Sequence, residues 1–325
     1  MNILVTGGAG YIGSATAEAL IKAGHSVTVY DSLVTGHRFA VPEGATFIQA
    51  DLSDSHALVE ALTKGKFDAV MHFAALIEAG ESMKNPGRFY HNNLTNSLTL
   101  METAVRAGVK RFVLSSTAAV YQSSEEPLTE ESPLGPTNVY GHTKLMVEQA
   151  LDWYRQIHNL HFAALRYFNA CGALPGRGEA HRPESHLIPL VLRVPLGQRD
   201  AAAIYGTDYP TPDGTCTRDY IHIADLVSAH LLALDGLKER DRLIYNLGSG
   251  NGYSVREVIE TARQVTGHLI PINELPRRPG DSARLVASSE KIRSQLGWKP
   301  EHDNLGDMIA SAWDWHKSHP NGYEK

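Results

Sequence analysis

Residues 138–151 read NVYGHTKLMVEQAL, and two of them carry chemistry at helical spacing. Tyr140 and Lys144 stand four residues apart, so on a helix they share one face. An ammonium beside a phenol favours the phenolate, which is the outline of an acid–base pair. Spacing alone does not separate this from a surface tyrosine that happens to sit near a lysine. In a chain of 325 residues with 13 Tyr and 11 Lys, chance supplies about 0.4 such pairs. This pair is the only one present. A third residue joins it: KRFVLSST reads as a strand that places the Thr117 hydroxyl at its carboxyl end, just ahead of the Tyr140 helix.

The stretch TGGAGYIG follows an apolar run, ILVTG, and opens a helical pattern near Tyr11–Ala23. Gly7, Gly10 and Gly13 give G-x-x-G-x-x-G, and Gly8, Gly10 and Gly13 also satisfy G-x-G-x-x-G. A pyrophosphate needs bare backbone and a tight turn at a helix N-terminus. A glycine triplet by itself fits any tight turn, but here strand, turn and helix follow in order. SVTVYD then ends a second strand on Asp31, 18 residues after Gly13. A carboxylate there accepts hydrogen bonds from the adenosine ribose and repels a 2′-phosphate, which favours NAD over NADP. Asp51 and Leu52, after the third strand, are expected at the adenine.

The cofactor bears on Tyr140. A phenol titrates near 10, so a base at pH 7 needs a shift of about 3 units, roughly 4 kcal/mol. One cation about 6 Å away supplies near 3 kcal/mol at an effective dielectric of about 20. Lys144 alone falls short by this arithmetic, and an oxidised nicotinamide would close the gap.

Composition narrows the class. Apolar residues make up 42% and charged residues 20%, as in a soluble globular enzyme or binding protein. The formal charge is −6, and no basic run exceeds a dipeptide such as Arg277-Arg278, so a nucleic-acid partner is disfavoured. Cys171 and Cys216 form neither a metal-type spacing nor a disulfide framework. The first strand begins at once, with no room for a secretory n-region and h-region, and no apolar run reaches membrane-spanning length. The expectation is a cytoplasmic protein without a membrane partner. The 16 histidines are scattered. His181 and His186, in HRPESH, come nearest to a cluster and read as ordinary loop histidines, so no metal is expected.

These residues must be positioned by the elements around them. Near-continuous apolar strands alternate with helices through TFIQAD, DSHALVEALTK, FDAVMHFAA, a long helix expected over Pro86–Ala107, KRFVLSST, the Tyr140 helix and HFAALRYFN. That pattern predicts an α/β fold with a doubly wound parallel sheet, Rossmann-type, whose ligands bind at the carboxyl ends of the strands. Beyond residue 170 the pattern changes. CGALPGRGEAHRPESH and GTDYPTPDGTCTRD are long Gly- and Pro-rich loops, better read as functional than as passive connections. Helices are expected near Leu187–Val194, Ala224–Leu234 and from Leu305, and Ser254 with Glu257 reads as a capping box. Residues 1–170 are expected to form the dinucleotide domain, and 171–325 a smaller C-terminal α/β substrate domain with some segments interleaved.

HFAALIEAGES, SSTAAVY, NVYGHTK, LRYFNACG, YPTPDGTCTRDYIHIADL, RRPGDSARLVAS and LGWKP span nearly the whole chain. Together with the glycine turn they resemble the extended branch of the short-chain dehydrogenase/reductase superfamily, and within it the NAD-dependent UDP-hexose 4-epimerases. The resemblance implies interconversion of UDP-glucose and UDP-galactose through a transient 4-keto sugar. Tyr140 would remove and return the 4-hydroxyl proton while hydride leaves C4 for the nicotinamide and returns to the opposite face. Thr117 would align that hydroxyl, and Lys144 would bind the nicotinamide ribose and stabilise the phenolate. It further implies cofactor contacts at Tyr11, Ile12, Ser32, Thr35, Gly36, Phe73, Ala74, Ala75, Asn92 and Phe168, besides Thr117, Tyr140 and Lys144. The UDP-sugar would meet Asn169, His186, Leu187, Ala203, Tyr205, Arg218, Arg278, Asp281 and Leu285, with Thr117 and Tyr140 at the hexose. Arginine suits a diphosphate for its fixed double donor geometry.

Departures from the family pattern are specific. Ile77 stands where many members have a lysine at the cofactor. Thr117 replaces a serine, and Gln122 a glycine. Leu285 replaces a bulky tyrosine near the sugar 2-substituent, which would admit UDP-N-acetyl sugars such as UDP-N-acetylglucosamine. UDP-glucuronate and UDP-pentoses also stay open as substrates. A 4,6-dehydratase would carry Asp-Glu where this chain has Ala118-Ala119, which argues against it. A non-catalytic NAD-sensing protein commonly loses the Tyr or the Lys, and both are present. Family members are usually homodimers, joined here through the Pro86–Ala107 helix and the Tyr140 helix. On sequence, Leu94, Leu98, Met101 and Val105 could face a partner or their own sheet.

Overall fold

The computed structural model describes residues 1–278 and 281–323. In chain order its elements are β1 Asn2–Thr6, α1 Tyr11–Lys22, β2 Ser26–Asp31, β3 Thr46–Gln49, α2 Ser55–Gly65, β4 Ala69–His72, α3 Ala79–Ser82, α4 Pro86–Phe89, α5 Asn96–Arg106, β5 Arg111–Thr117, α6 Val139–His158, β6 His161–Tyr167 and β7 Asn169–Cys171. There follow α7 Leu187–Leu192, β8 Ala202–Tyr205, β9 Thr217–His222, α8 Ile223–Gly236, β10 Arg242–Leu247, β11 Gly252–Ser254, α9 Val255–Thr266, β12 Ile272–Leu275, β13 Arg284–Leu285, α10 Glu290–Leu296 and α11 Leu305–Ser318.

The expected doubly wound sheet is present. Seven strands run in the order β10-β6-β5-β4-β1-β2-β3, and β3, β2, β1, β4 and β5 pair in parallel. The winding direction reverses between β1 and β4, which opens a crevice at their carboxyl ends. There the chain after β1 approaches the chain after β4 so closely that a Cβ on Gly7 would lie 2.5 Å from the Ala74 nitrogen, and Gly7 has φ +71°. Only glycine serves at that position.

The chain divides into two compact units. One comprises residues 1–122, 133–166 and 227–245, the other 123–132, 167–226 and 246–325. The first has a core of Leu4, Leu58, Val70, Met101, Phe112, Leu151 and Phe162, all fully buried or nearly so, with Leu94, Leu98 and Val105 packed against it. Leu94, Leu98, Met101 and Val105 therefore serve their own core. The second unit has a core of Ile188, Leu192, Ile204, Ile259, Met308 and Ile309. It carries the set β11-β9-β13 with β7 on β9, and the pair β12-β8.

The helix expected over Pro86–Ala107 is interrupted. Residues 90–95 form a π-helical segment between α4 and α5. Its buried Asn93 accepts from the Leu76 N–H at 2.8 Å and donates to the Leu76 carbonyl at 2.9 Å. The wider turn lets one side chain satisfy both backbone groups of the segment after β4, a common use of π-bulges beside functional sites. The capping box is formed as the sequence predicts. Glu257 N–H donates to Ser254 Oγ at 3.1 Å, and Ser254 N–H to Glu257 Oε2 at 2.6 Å.

Candidate active site

In the first unit Tyr140 stands at the second position of α6, whose start is capped by Asn138 accepting from Gly141 N–H at 2.8 Å. A Cβ on Gly141 would lie 2.3 Å from the Ala119 carbonyl oxygen. The glycine thus lets α6 press against the turn that follows β5. Thr117 ends β5, and its hydroxyl is the polar neighbour that lowers the pKa of the Tyr140 phenol. Ser82 Oγ, at the end of α3, accepts from the Tyr140 N–H at 3.1 Å. Lys144, one turn along, is 3% exposed and donates to the Ser115 carbonyl at 2.8 Å.

The same helical stripe continues to Glu148. Its carboxylate takes the Ser116 hydroxyl at 2.5 Å and the Arg166 guanidinium at 2.6 Å, and both charged residues are buried. Arg166, on β6, also donates to the Tyr121 hydroxyl at 2.7 Å. Three successive β5 residues, Ser115, Ser116 and Thr117, thus meet three successive turns of α6. Sequence reading missed Glu148 and Arg166. The signal for Glu148 was there, as a third member of an i, i+4, i+8 series; nothing local marks Arg166.

Burial sets the electrostatics. Enclosure of the Tyr140 hydroxyl pushes it up to about 12; the Thr117 hydrogen bond works downward and the Glu78 charge upward. Enclosure brings Lys144 down to about 8, against the pull of Glu148. Without a bound cation the phenol is therefore a weaker acid than a free tyrosine. Reaching pH 7 requires about 5 units, roughly 7 kcal/mol.

A cavity of about 350 Å³ lies at the crevice. Of the expected cofactor contacts, Gly7, Asp31, Ser32, Thr35, Asp51, Leu52, Ala74, Ala75 and Asn92 line it. Arg88, His91 and Asn96 line it as well and were missed, because they come from the interrupted helix. Asp31 is held by Ala9 N–H at 2.9 Å and Leu33 N–H at 2.8 Å, and its burial raises its pKa. A Cβ on Gly36 would lie 2.8 Å from Asp31 Oδ1, and one on Gly13 2.2 Å from the Gly7 carbonyl oxygen. Bare backbone at a helix start with a carboxylate at the end of the next strand fits a dinucleotide such as NAD. Gly10 caps α1, Tyr11 and Ile12 open it, and Phe73 packs on the His230 ring at 5.0 Å; none of these lines the cavity. Gln122 is accommodated because its side chain occupies the space where a Cβ on Gly135 would be, 2.4 Å from Gln122 Cγ. Ile77 donates its N–H to Glu78 Oε2 at 3.1 Å. Ala118 is 2% exposed in the turn after β5, and neither it nor Ala119 offers the acid or base of a dehydratase.

The second unit has its own cavity, about 190 Å³. Asn169, His186, Leu187, Ala203, Tyr205, Arg218, Arg278 and Asp281 all line it. Leu285 does not; it pairs with Arg218 across β13 and β9. Asp281 ties the two arginines together, at 2.9 Å from Arg278 and 3.8 Å from Arg218, and Arg278 lies over the Tyr205 ring at 4.7 Å. Asp219 is not the partner of Arg218. Its carboxylate is taken up by N–H groups of Ser249, Gly250 and Ala287 at 2.8, 3.0 and 2.9 Å. Asn169 donates to the Asp219 carbonyl at 2.7 Å. A third arginine in the cavity, Arg199, was missed. Phe168, expected at the cofactor, belongs to this unit and is 9% exposed.

A parallel sheet with a glycine turn, a carboxylate at the end of β2 and a Tyr–Lys helix beside β5 defines an NAD-dependent enzyme of the Rossmann type. The chain belongs to the NAD dependent epimerase/dehydratase family, whose sequence model matches residues 3–248. It is 50% identical over 327 residues to the UDP-glucose 4-epimerase of Halalkalibacterium halodurans, covering 99% of this chain and 98% of that one. With the Corynebacterium glutamicum UDP-glucose 4-epimerase it shares 48% over 314 residues, 96% of this chain and 95% of the relative. A crystal structure of UDP-glucose 4-epimerase superposes with a TM-score of 0.96 at 50% identity, over 99% of both chains. The Bifidobacterium longum UDP-glucose 4-epimerase in complex with NAD⁺ and UDP superposes with a TM-score of 0.95 at 37% identity, over 99% of this chain and 100% of that one.

Proposed function

We propose that this chain is an NAD-dependent UDP-glucose 4-epimerase, an isomerase that interconverts UDP-glucose and UDP-galactose. The observation that carries the reading is the Tyr140 phenol on α6, with Thr117 at the end of β5 as the polar neighbour that lowers its pKa and the buried Lys144 one turn behind it. When bound, NAD⁺ supplies the reversible acceptor for the hydride at sugar C4. Tyr140 as phenolate takes the proton of the 4-hydroxyl and gives it back after the sugar has turned over. Thr117 aligns that hydroxyl with the phenol. Lys144 keeps positive charge near the phenolate and offers a donor to a ribose. Asp31 accepts the ribose hydroxyls at the adenosine end. In the second unit Arg218, Arg278 and Arg199 supply the charge a diphosphate needs, with Asn169 beside them, and Asp281 orients the first two while offering an acceptor to the uridine ribose.

The test is direct. The purified chain, incubated with UDP-glucose and no added NAD, should produce UDP-galactose until the two balance. Tyr140→Phe should lose at least about a thousandfold in kcat, as expected for removal of an essential acid–base group. Absence of UDP-galactose with NAD demonstrably bound would favour a cofactor-binding role without catalysis. We also propose a homodimer formed through α6. Trp153 and Ile157 stand four apart on that helix and remain 62% and 66% exposed.

A further inference from the structure

The long loop ahead of α7 gathers a group of side chains of which the epimerase reading uses only His186, at the nucleotide cavity. One ligand atom from each of Glu179, His181 and His186 lies within 4.8 Å of the others. His181 Nδ1 is 2.5 Å from Glu179 Oε1, and His186 Nδ1 is 3.9 Å from Glu179 Oε2. Glu184 meets His186 Nδ1 at 2.7 Å. Both carboxylates are enclosed: Glu179 is 7% exposed and the Glu184 side chain 1%. The loop is held against the last helix, where Trp315 Nε1 donates to the Glu179 carbonyl at 3.3 Å. His316 on that helix feels the charges of Glu184 and Glu179, with Arg193 and His319 as the opposing cationic groups.

Two enclosed carboxylates beside two imidazoles leave an excess of negative charge with neutral histidines. Enclosed charge of that kind is costly unless a cation compensates it.

We propose that Glu179, His181 and His186 form a binding site for a divalent cation of the zinc class, with Glu184 as the carboxylate that orients the His186 ring. Two nitrogens and one oxygen are the ligand set of many three-residue zinc sites, with water in the fourth position. Ligand atoms about 2.1 Å from a tetrahedral Zn²⁺ stand roughly 3.4 Å apart. The 2.5 Å contact between Glu179 and His181 therefore opens by side-chain rotation, and His186, whose Nδ1 is held by Glu184, would ligate through its other ring nitrogen, Nε2. The ion takes the place of the proton shared by Glu179 and His181. A carboxylate behind a ligating histidine is the usual outer support of such sites. The ion would fix the loop whose last residue, His186, lines the cavity of the second unit.

The test uses the full chain without a polyhistidine tag, stripped with a chelator and titrated with ZnCl₂ in a calorimeter. The expected result is one Zn²⁺ per chain with proton release, bound at least tenfold more tightly than by His181→Ala or Glu179→Gln. Circular dichroism checks that both variants are folded. Should neither fold, the wild-type chain loaded with Co²⁺ decides: the intense visible band of four-coordinate cobalt supports the site, and the pale spectrum of six-coordinate cobalt overturns it. No Zn²⁺ uptake by the wild-type chain, or equal uptake by a folded His181→Ala variant, also overturns it. None of these readouts depends on epimerase activity.

Discussion

Tyr140 starts from an unfavourable position for a base, because enclosure raises its pKa to about 12. A raised phenol contributes stability that is complete below pH 10 and is lost as pH rises through 12. The neutral form is thus the resting form, and positive charge near the ring is what changes it. Ultraviolet titration of the phenol, taken as the difference from Tyr140→Phe, should show a lower pKa with NAD⁺ than with NADH; equal values would remove the cofactor from the base. Lys144 has the opposite sign. Its pKa falls from 10.5 to about 8, so its contribution favours folding above pH 10.5 and is lost as pH falls through 8. Near pH 7 the buried ammonium costs about 3 kcal/mol of stability. Lys144→Met should lose at least about a hundredfold in kcat and shift the pH optimum upward. It should also resist urea better than the parent at pH 7, an advantage that shrinks toward pH 10. Lower stability of the variant at pH 7 would contradict the assigned cost.

At the scale of elements, the site is a contact between β5 and α6. Gly141 sets how close they come, since a Cβ there would lie 2.3 Å from the Ala119 carbonyl oxygen. Gly141→Ala should therefore keep the far-ultraviolet spectrum but lower kcat at least tenfold, because a shift of about 1 Å at a reacting group is that costly. Unchanged kcat would mean that the helix position is not set by this contact. The Glu148–Arg166 pair locks the same interface further along and keeps both charges satisfied where water does not reach. The interrupted helix of residues 90–95 shows where periodicity fails as a guide. The apolar pattern of a π-bulge differs from that of an α-helix by one residue, which a short amphipathic segment does not reveal. What produces it is a distant demand, the Leu76 backbone bound by Asn93.

For the whole molecule, the apolar residues of α5 are accounted for, since Leu98, Met101 and Val105, with Leu94 just ahead of them, serve the core of their own unit. Trp153 and Ile157 on α6 are left facing outward. Light scattering should give the mass of two chains, and Trp153→Asp should give one; a wild-type monomer at micromolar concentration would refute the dimer. Much of the architecture was legible in the sequence because it rests on local rules. The glycine turn, Asp31 at a strand end, Tyr140 and Lys144 at i, i+4, and the Ser254 cap each follow from backbone geometry within a few residues. The alternation of apolar strands with helices fixes a parallel sheet, and such a sheet binds at its carboxyl edge. Tertiary structure alone decided the rest. Arg88, His91 and Arg199 come to line the cavities because distant segments converge, and Arg166 meets Glu148 because β6 lies beside α6's buried face. The pKa of Tyr140 belongs to that second class as well. Its direction depends on enclosure, a property of packing that no spacing along the chain encodes.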